Sequence, residues 1–198
     1  MRPVLAGPAR GPGLARLLVP ALRCGGRAPR GPGGCRLIRR GELVLFAALL
    51  VLDQATKQTV LEAFGSGGGL AVTPFLNLVL VWNPGVSFGL LAGLGDARPG
   101  LLVAVTLAIA ALLAVWLWRE ERRLPRIALV LVLAGAVGNL IDRVRFGAVV
   151  DFLDFHWAGY HWPAFNVADS AIVIGAGLLL LDGLVPRRAP ASQAGGER

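Results

Sequence analysis

Acidic residues are missing from the first 41 positions, which carry nine arginines; the first acid is Glu42. Charge is scarce over the whole chain: 16% of its 198 residues are charged, against about 25% in an average soluble domain. With 55% hydrophobic residues, that shortage excludes an ordinary soluble fold and places the chain among membrane proteins. Cysteine is limited to Cys24 and Cys35, whose spacing fits no metal pattern. The only histidines, His156 and His161, lie far from both, so no metal site and no cofactor are expected. Few aromatics interleave with the basic residues. The net charge of +8 therefore reads as a cytoplasmic flank of a membrane protein, not as a nucleic-acid surface.

Residues 1–41 form a basic extension, residues 42–185 a membrane domain and residues 186–198 a polar tail. The Gly/Pro/Arg-rich stretch 1–38 buries too little apolar surface to offset the entropy of ordering and is expected to be disordered. Within it, Leu14 to Leu22 fits a surface helix against anionic lipid, an acid-free Arg-rich leader resembles a transit peptide, and a start codon placed too early is a third reading. The cysteines there read as reduced thiols.

Four spans follow. The first, Glu42 to Phe64, turns amphipathic at DQATK, which puts Asp53 and Lys57 on one helical face. The glycines at 65–69 end it. AVTPFLNLVLVWNPG (71–85) is rich in β-branched and aromatic residues and reads as a small extramembrane sheet, with NPG as a turn. Ser87 to Leu94 fits a short interfacial helix. The second span, 100–118, has no charge and ends on Trp116 and Trp118, suited to the membrane interface. Arg119 to Arg126 reads as a tight basic loop. The third span runs from Ile127 to about Arg145, the fourth from about Ala164 to Val185. His156, Trp157, Tyr160, His161 and Trp162 look like an interfacial belt.

Sixteen of the twenty Lys and Arg fall before Glu42, in the loop or after the last span. The positive-inside rule puts both termini in the cytoplasm. It also brings Asp53, Asn83, Asn139, Arg143, Asp151, Asn166 and Asp169 to one level near the opposite face. Asp151 and Asp169 each sit at the mouth of an apolar segment. An acid at the edge of a span is costly and is read first as functional, and two together fit a pair that shares one proton. Each member also has a plain structural reading. Asn166 could simply cap the fourth helix, with Asp169 as a first-turn acid. Arg143 could lock helix packing or hold one acid ionised, and Asn83 could serve only a turn or bind a peptide backbone. Ala134 and Gly138 allow close helix approach. Asp142 is assigned to the helix surface or to helix support, and Asp154 to solvent. Ser170 has no base near it in sequence. A proton-relaying transporter and a passive scaffold are the rival classes; acids at one face rather than midway across, and the lack of a repeated half, speak against the first.

The motifs DQATK (53–57), NPGVSFG (83–89), GNLIDR (138–143), GAVVDF (147–152) and FNVADS (165–170) occur in an order that resembles bacterial lipoprotein signal peptidase, signal peptidase II. The likeness covers residues 42–185; Pro84, where the family often carries an alanine-rich run, departs from the pattern. The resemblance implies an all-α membrane fold of four transmembrane helices with a small periplasmic β-cradle. It implies a monomeric inner-membrane aspartyl endopeptidase that binds lipid-modified prolipoprotein and cuts just before the diacylglyceryl cysteine, with no metal and no nucleic acid. By motif, Asp151 and Asp169 would be catalytic. Asp53, Lys57, Asn83, Asn139, Arg143 and Asn166 would support the site or bind substrate. The two catalytic carboxyls are expected within reach of one bridging water.

Overall fold

The structure, a computed structural model, describes residues 38–85 and 98–184. The expectations for residues 1–37, the 87–94 helix and the tail after 184 lie outside them. Four helices, α1 (Arg40–Phe64), α2 (Arg98–Arg119), α3 (Arg123–Phe146) and α4 (Val167–Leu184), are long and apolar enough to cross a membrane. They match the four expected spans, with α1 and α2 starting two residues earlier, α3 four earlier and α4 three later. In α3, 56% of the span is buried, against 17% or less in the others. The reason is its central place, packed against α1, α2 and α4. The exposed apolar faces of the other three are what a bilayer solvates.

Close packing of α3 on α4 rests on missing side chains. A Cβ at Gly135 would collide with the Ala168 carbonyl and Ile172, and one at Gly175 would meet the Ala128 carbonyl. Gly138, expected to serve helix approach, instead leaves room for the Asp53 carboxylate. At the far end of the bundle Arg126 is no loop residue. It is 2% exposed and forks onto both Glu42 oxygens at 2.6 Å. Its Nη1 also caps α2 through the Leu117 and Glu120 carbonyls, at 2.9 and 2.8 Å. One planar guanidinium thus ties three helices, which a lysine's single point charge would not do.

The sheet extends beyond residues 71–85, where a small sheet was expected. Strands β1 (Gly69–Thr73) and β2 (Leu76–Asn83) are joined by β3 (Val149–Trp157) and β4 (Tyr160–His161), all antiparallel in the order β1-β2-β3-β4. Asp151 therefore lies on a strand and not at the mouth of a span. The switch from helix to strand is made at Gly147. It takes φ +73°, a left-handed conformation that favours glycine, and its N–H closes α3 on the Arg143 carbonyl at 3.0 Å. On the other edge of β3, the backbone of Phe165 exchanges hydrogen bonds with Leu153 at 2.8 and 3.1 Å. Asp154 is not left to solvent: it accepts from Asn77 at 2.9 Å and faces His161 Nδ1 at 2.8 Å. Those two partners, Asn77 first, hold its carboxyl below the usual range.

Gly135→Val is expected to destabilise the bundle by at least about 1–3 kcal/mol, because neither the Ala168 carbonyl nor α3 can move aside. Thermal unfolding in a fixed detergent reads this directly. An unchanged midpoint would refute the close α3–α4 contact.

Candidate active site

The site forms where the C-terminal halves of α1 and α3 meet the N-terminus of α4 and strands β2 and β3. Its floor is a buried charge cluster. Lys57 Nζ lies 2.9 Å from Asp53 Oδ2, 2.8 Å from Asp142 Oδ2 and 3.0 Å from Asn139 Oδ1, and Lys57, Asp53 and Asp142 are each 2% exposed or less. An isolated buried ammonium or carboxylate is prohibitively costly; a cation shared by two anions with further hydrogen bonds is not. The remaining capacity is met by the Gln54 amide, which donates to Asp53 at 3.1 Å and to Asp142 at 3.2 Å. Backbone N–H groups complete it: Ala168 donates to Asp53 at 2.9 Å and Val150 to Asp142 at 3.3 Å. Asp53 thereby holds the start of α4, where free N–H groups and the helix dipole favour an anion. Asp142 holds the start of β3.

Asp142 is thus no surface group, and it shares the face of Asn139, since positions three apart on a helix lie as close as positions four apart. That signal was available in the sequence. Gln54 carried none beyond its place beside Asp53.

Two asparagines stand between this floor and the acids above it. Asn139 accepts from Lys57 and donates its Nδ2 to Asp169 Oδ1 at 2.7 Å. Asn166, fully buried, donates its Nδ2 to Asp151 Oδ1 at 2.7 Å and to Asn139 Oδ1 at 3.2 Å. Its Oδ1 accepts the Asp169 N–H at 2.9 Å, and Asp169 Oδ2 takes the Asn166 N–H at 3.3 Å. This reciprocal pair is a capping box. The capping reading of Asn166 and the site reading are both satisfied by one side chain, which joins the two acids.

The other Asp151 oxygen accepts from Asn83 Nδ2 at 2.8 Å, while Asn83 Oδ1 takes the Gly85 N–H at 2.8 Å. Both polar ends of Asn83 have a partner inside the protein, and one of those partners is Asp151. Asp151 itself is 1% exposed. Burial pushes its carboxyl up to about 6, the Asn83 and Asn166 donors pull it down, and the nearby Asp169 charge adds to the rise. Arg143 departs from the expectation that it holds an acid ionised. Among the described residues it pairs with neither; Nη1 reaches only the Asn139 carbonyl at 3.3 Å, and its buried Nε has no partner. Its guanidinium lies beside Gly85 in the loop after β2. Ser170 Oγ is turned to the Asn166 carbonyl at 3.0 Å, an arrangement without a base. Of the eight residues singled out in the sequence, seven form one hydrogen-bonded network, and Arg143 stands at its rim.

Such an arrangement, two carboxyls bridged by an asparagine with one value raised toward neutrality, suits acid–base hydrolysis without a nucleophilic side chain. The comparisons agree with it. A sequence model of signal peptidase (SPase) II matches residues 45–185. A protein named lipoprotein signal peptidase from Syntrophotalea carbinolica is 50% identical over 144 residues, covering 70% of this chain and 88% of the relative. One of the same name from Ralstonia nicotianae is 49% identical over 137 residues, covering 68% and 79%. A solved structure described as a bacterial membrane enzyme, determined by the in meso method, superposes with a TM-score of 0.65 at 30% identity. It covers 76% of this chain and 96% of the other. By the extent of the sequence match and by its fold, the chain belongs to the signal peptidase II family.

Proposed function

We propose that Asp151 and Asp169 are the catalytic pair with which this aspartic peptidase, whose family removes signal peptides from lipoproteins, cuts its precursor just before a diacylglyceryl cysteine. The observation that carries this is the bridge through Asn166, which holds two acids in one hydrogen-bonded unit at the start of α4. Like charges held together cannot both ionise freely, so the pair titrates as a unit with one proton to share. Below about pH 6 the buried Asp151 holds that proton. Asp169, less deeply buried, takes a proton from water as the oxygen attacks the scissile carbonyl. Asp151 polarises that carbonyl. The amide nitrogen of the cysteine then leaves as an amine with a proton from the pair, and the signal peptide ends in a carboxylate. Arg143, whose Nε has no partner among the described residues, is available to a carbonyl of the bound peptide. Lys57, Asp53, Asn139 and Asn166 position the pair, and Asn83 orients Asp151.

The charge bias of the sequence supports an orientation with both termini in the cytoplasm and the site near the outer face of the inner membrane. There the substrate's acyl chains stay in the bilayer while its peptide reaches the acids, which supplies proximity at little cost in desolvation. The monomer and the separable roles of residues 1–41 and 186–198 belong to the same proposal.

Purified protein incubated with a lipid-modified precursor should yield the shortened product, and the cyclic peptide globomycin should block it. Asp151→Asn or Asp169→Asn should lower the rate by at least about 10³-fold while the protein still inserts and folds, the usual scale when an acid–base group is lost. Turnover at the wild-type rate by either variant, or ion flux without cleavage, would refute the assignment.

The acid–base roles also fix a pH dependence. Asp151 is raised, so its proton is present below about 6 and is lost as pH climbs through that value. The profile of kcat/KM, which reports the free enzyme, should therefore fall on the alkaline side. Asn83 donates to Asp151 and favours its charged form, so Asn83→Ala should move that alkaline limb to higher pH. A limb unmoved by Asn83→Ala would mean that Asp151 is not the group being titrated.

A further inference from the structure

At the end of the bundle away from the acids, a cleft of about 270 Å³ lies between α1 and α2, both of which pack on α3. Its residues follow helical spacing on each element: Leu43 and Phe46 on α1, Leu117 and Trp118 on α2, Val130 and Leu133 on α3. The floor belongs to the core. Leu117, Val130 and Leu133 are each 8% exposed or less and pack together with Leu129. The walls face outward instead, and Leu43 and Trp118 are about half exposed. Among the described residues, Glu42 is the one charged group in the lining, and Arg126 takes both of its oxygens. What is left for a ligand is aliphatic and aromatic surface, which an alkyl chain covers well and water does not. The rim is basic, with six arginines against four acids in the described chain at this end. Arg126 is committed to Glu42, and Arg122 to Glu120 and Asp182. Arg40, Arg119 and Arg123 are exposed and form no ion pair among the described residues. Arg119 follows Trp118 directly, and Arg40 lies about one turn outside Leu43. A half-exposed tryptophan suits the headgroup level, so these arginines stand where lipid phosphates lie.

We infer that this cleft is a binding site for an anionic phospholipid, with one acyl chain lying between α1 and α2 on Val130 and Leu133 and the headgroup meeting Arg40 and Arg119. Charge complementarity carries the choice of ligand. The slot itself takes any alkyl chain, but its rim presents exposed arginines, and anionic headgroups attract such residues at the membrane surface. A zwitterionic lipid brings the same chains without the net charge and is held less tightly. The bound chain adds apolar contact between two helices that are otherwise joined through α3, next to the fork of Arg126 onto Glu42. The lipid is thus a structural ligand and not a substrate. Its site is at the opposite end of the bundle from Asp151 and Asp169, and the inference stands independently of the peptidase reading.

The test uses the full-length protein in phosphatidylcholine nanodiscs that hold a trace of a photoreactive lipid, either phosphatidylglycerol or phosphatidylcholine, with the same diazirine-bearing acyl chain. Cross-linked peptides are mapped by mass spectrometry. The phosphatidylglycerol probe should label residues 42–46 and 114–118 well above the rest of the helices and above the phosphatidylcholine probe, and added unlabelled phosphatidylglycerol should compete it away. Arg40→Gln combined with Arg119→Gln should lower that labelling about fivefold or more, the scale of two arginines at a headgroup. Ala114→Trp, which fills the slot from α2, should lower it as well. Arg145→Gln removes an exposed arginine at the opposite end of α3 and should leave it unchanged. The arginine variants alter exposed side chains only, so they decide the question even where Ala114→Trp fails to fold. Equal labelling of the cleft by the two probes, labelling spread evenly over the four helices, or cleft labelling unchanged in the double arginine variant would overturn the inference and leave the peptidase reading intact.

Discussion

Lys57 is the group on which the rest of the site depends. Its ammonium sits between Asp53 and Asp142 in a region almost closed to solvent, and each of those carboxylates anchors a different element: Asp53 the first turn of α4, Asp142 the first residues of β3. A helix start and a strand start are thereby fixed relative to α1 and α3 by one buried cation. Removing one partner from a buried ionic group costs roughly 3–5 kcal/mol, because the others are left charged without compensation. Two further acids would be intolerable in the same space without that cation. With it, the cluster holds its charge below the asparagines, and Asp151 and Asp169 stand above them as the proposed proton-sharing pair.

The two asparagines transmit this order upward. Neither can ionise, so each offers a donor and an acceptor of fixed kind at any pH. Asn139 passes the lysine's position to Asp169, and Asn166 passes the start of α4 to Asp151. Positioning of this sort, with carboxyl orientations set before substrate arrives, is what makes preorganised acid–base groups effective. The far end of the bundle is held separately. There Arg126 fastens α1, α2 and α3, and Arg122 reaches Asp182 on α4 at 2.5 Å. The exposed apolar side of α4, with Val173 and Ile174, lies next to Asp169.

Most of this was legible in the sequence where the physics is one-dimensional. The four spans follow from hydropathy and length, and the convergence of Asp53, Asn139, Asp151, Asn166 and Asp169 follows from placing polar residues at one membrane level. What could not be read was set by packing in three dimensions. The run VVDF is buried on both faces, so it lacks the alternation that marks a half-exposed strand and looks like the edge of a span. Arg126 counts as a loop cation until its geometry shows a fork onto Glu42. Arg143 looks like a partner for an acid because a guanidinium beside carboxylates usually is one, whereas its helix aims it at the loop after β2. Asp142 was within reach, since a buried lysine facing a single acid would have left its other donors unmet.

The most direct measurement is the pH dependence of the protonated-carboxyl band in infrared spectra of the membrane-embedded protein. If Lys57 neutralises Asp53 and Asp142 while the upper pair shares a proton, the wild type shows a band that titrates near 6. That band disappears in Asp151→Asn and survives in Asp53→Asn. A titrating band that persists in Asp151→Asn, or that is lost only when Asp53 is replaced, would place the proton in the wrong half of the site and contradict the division of charge on which the chemistry depends.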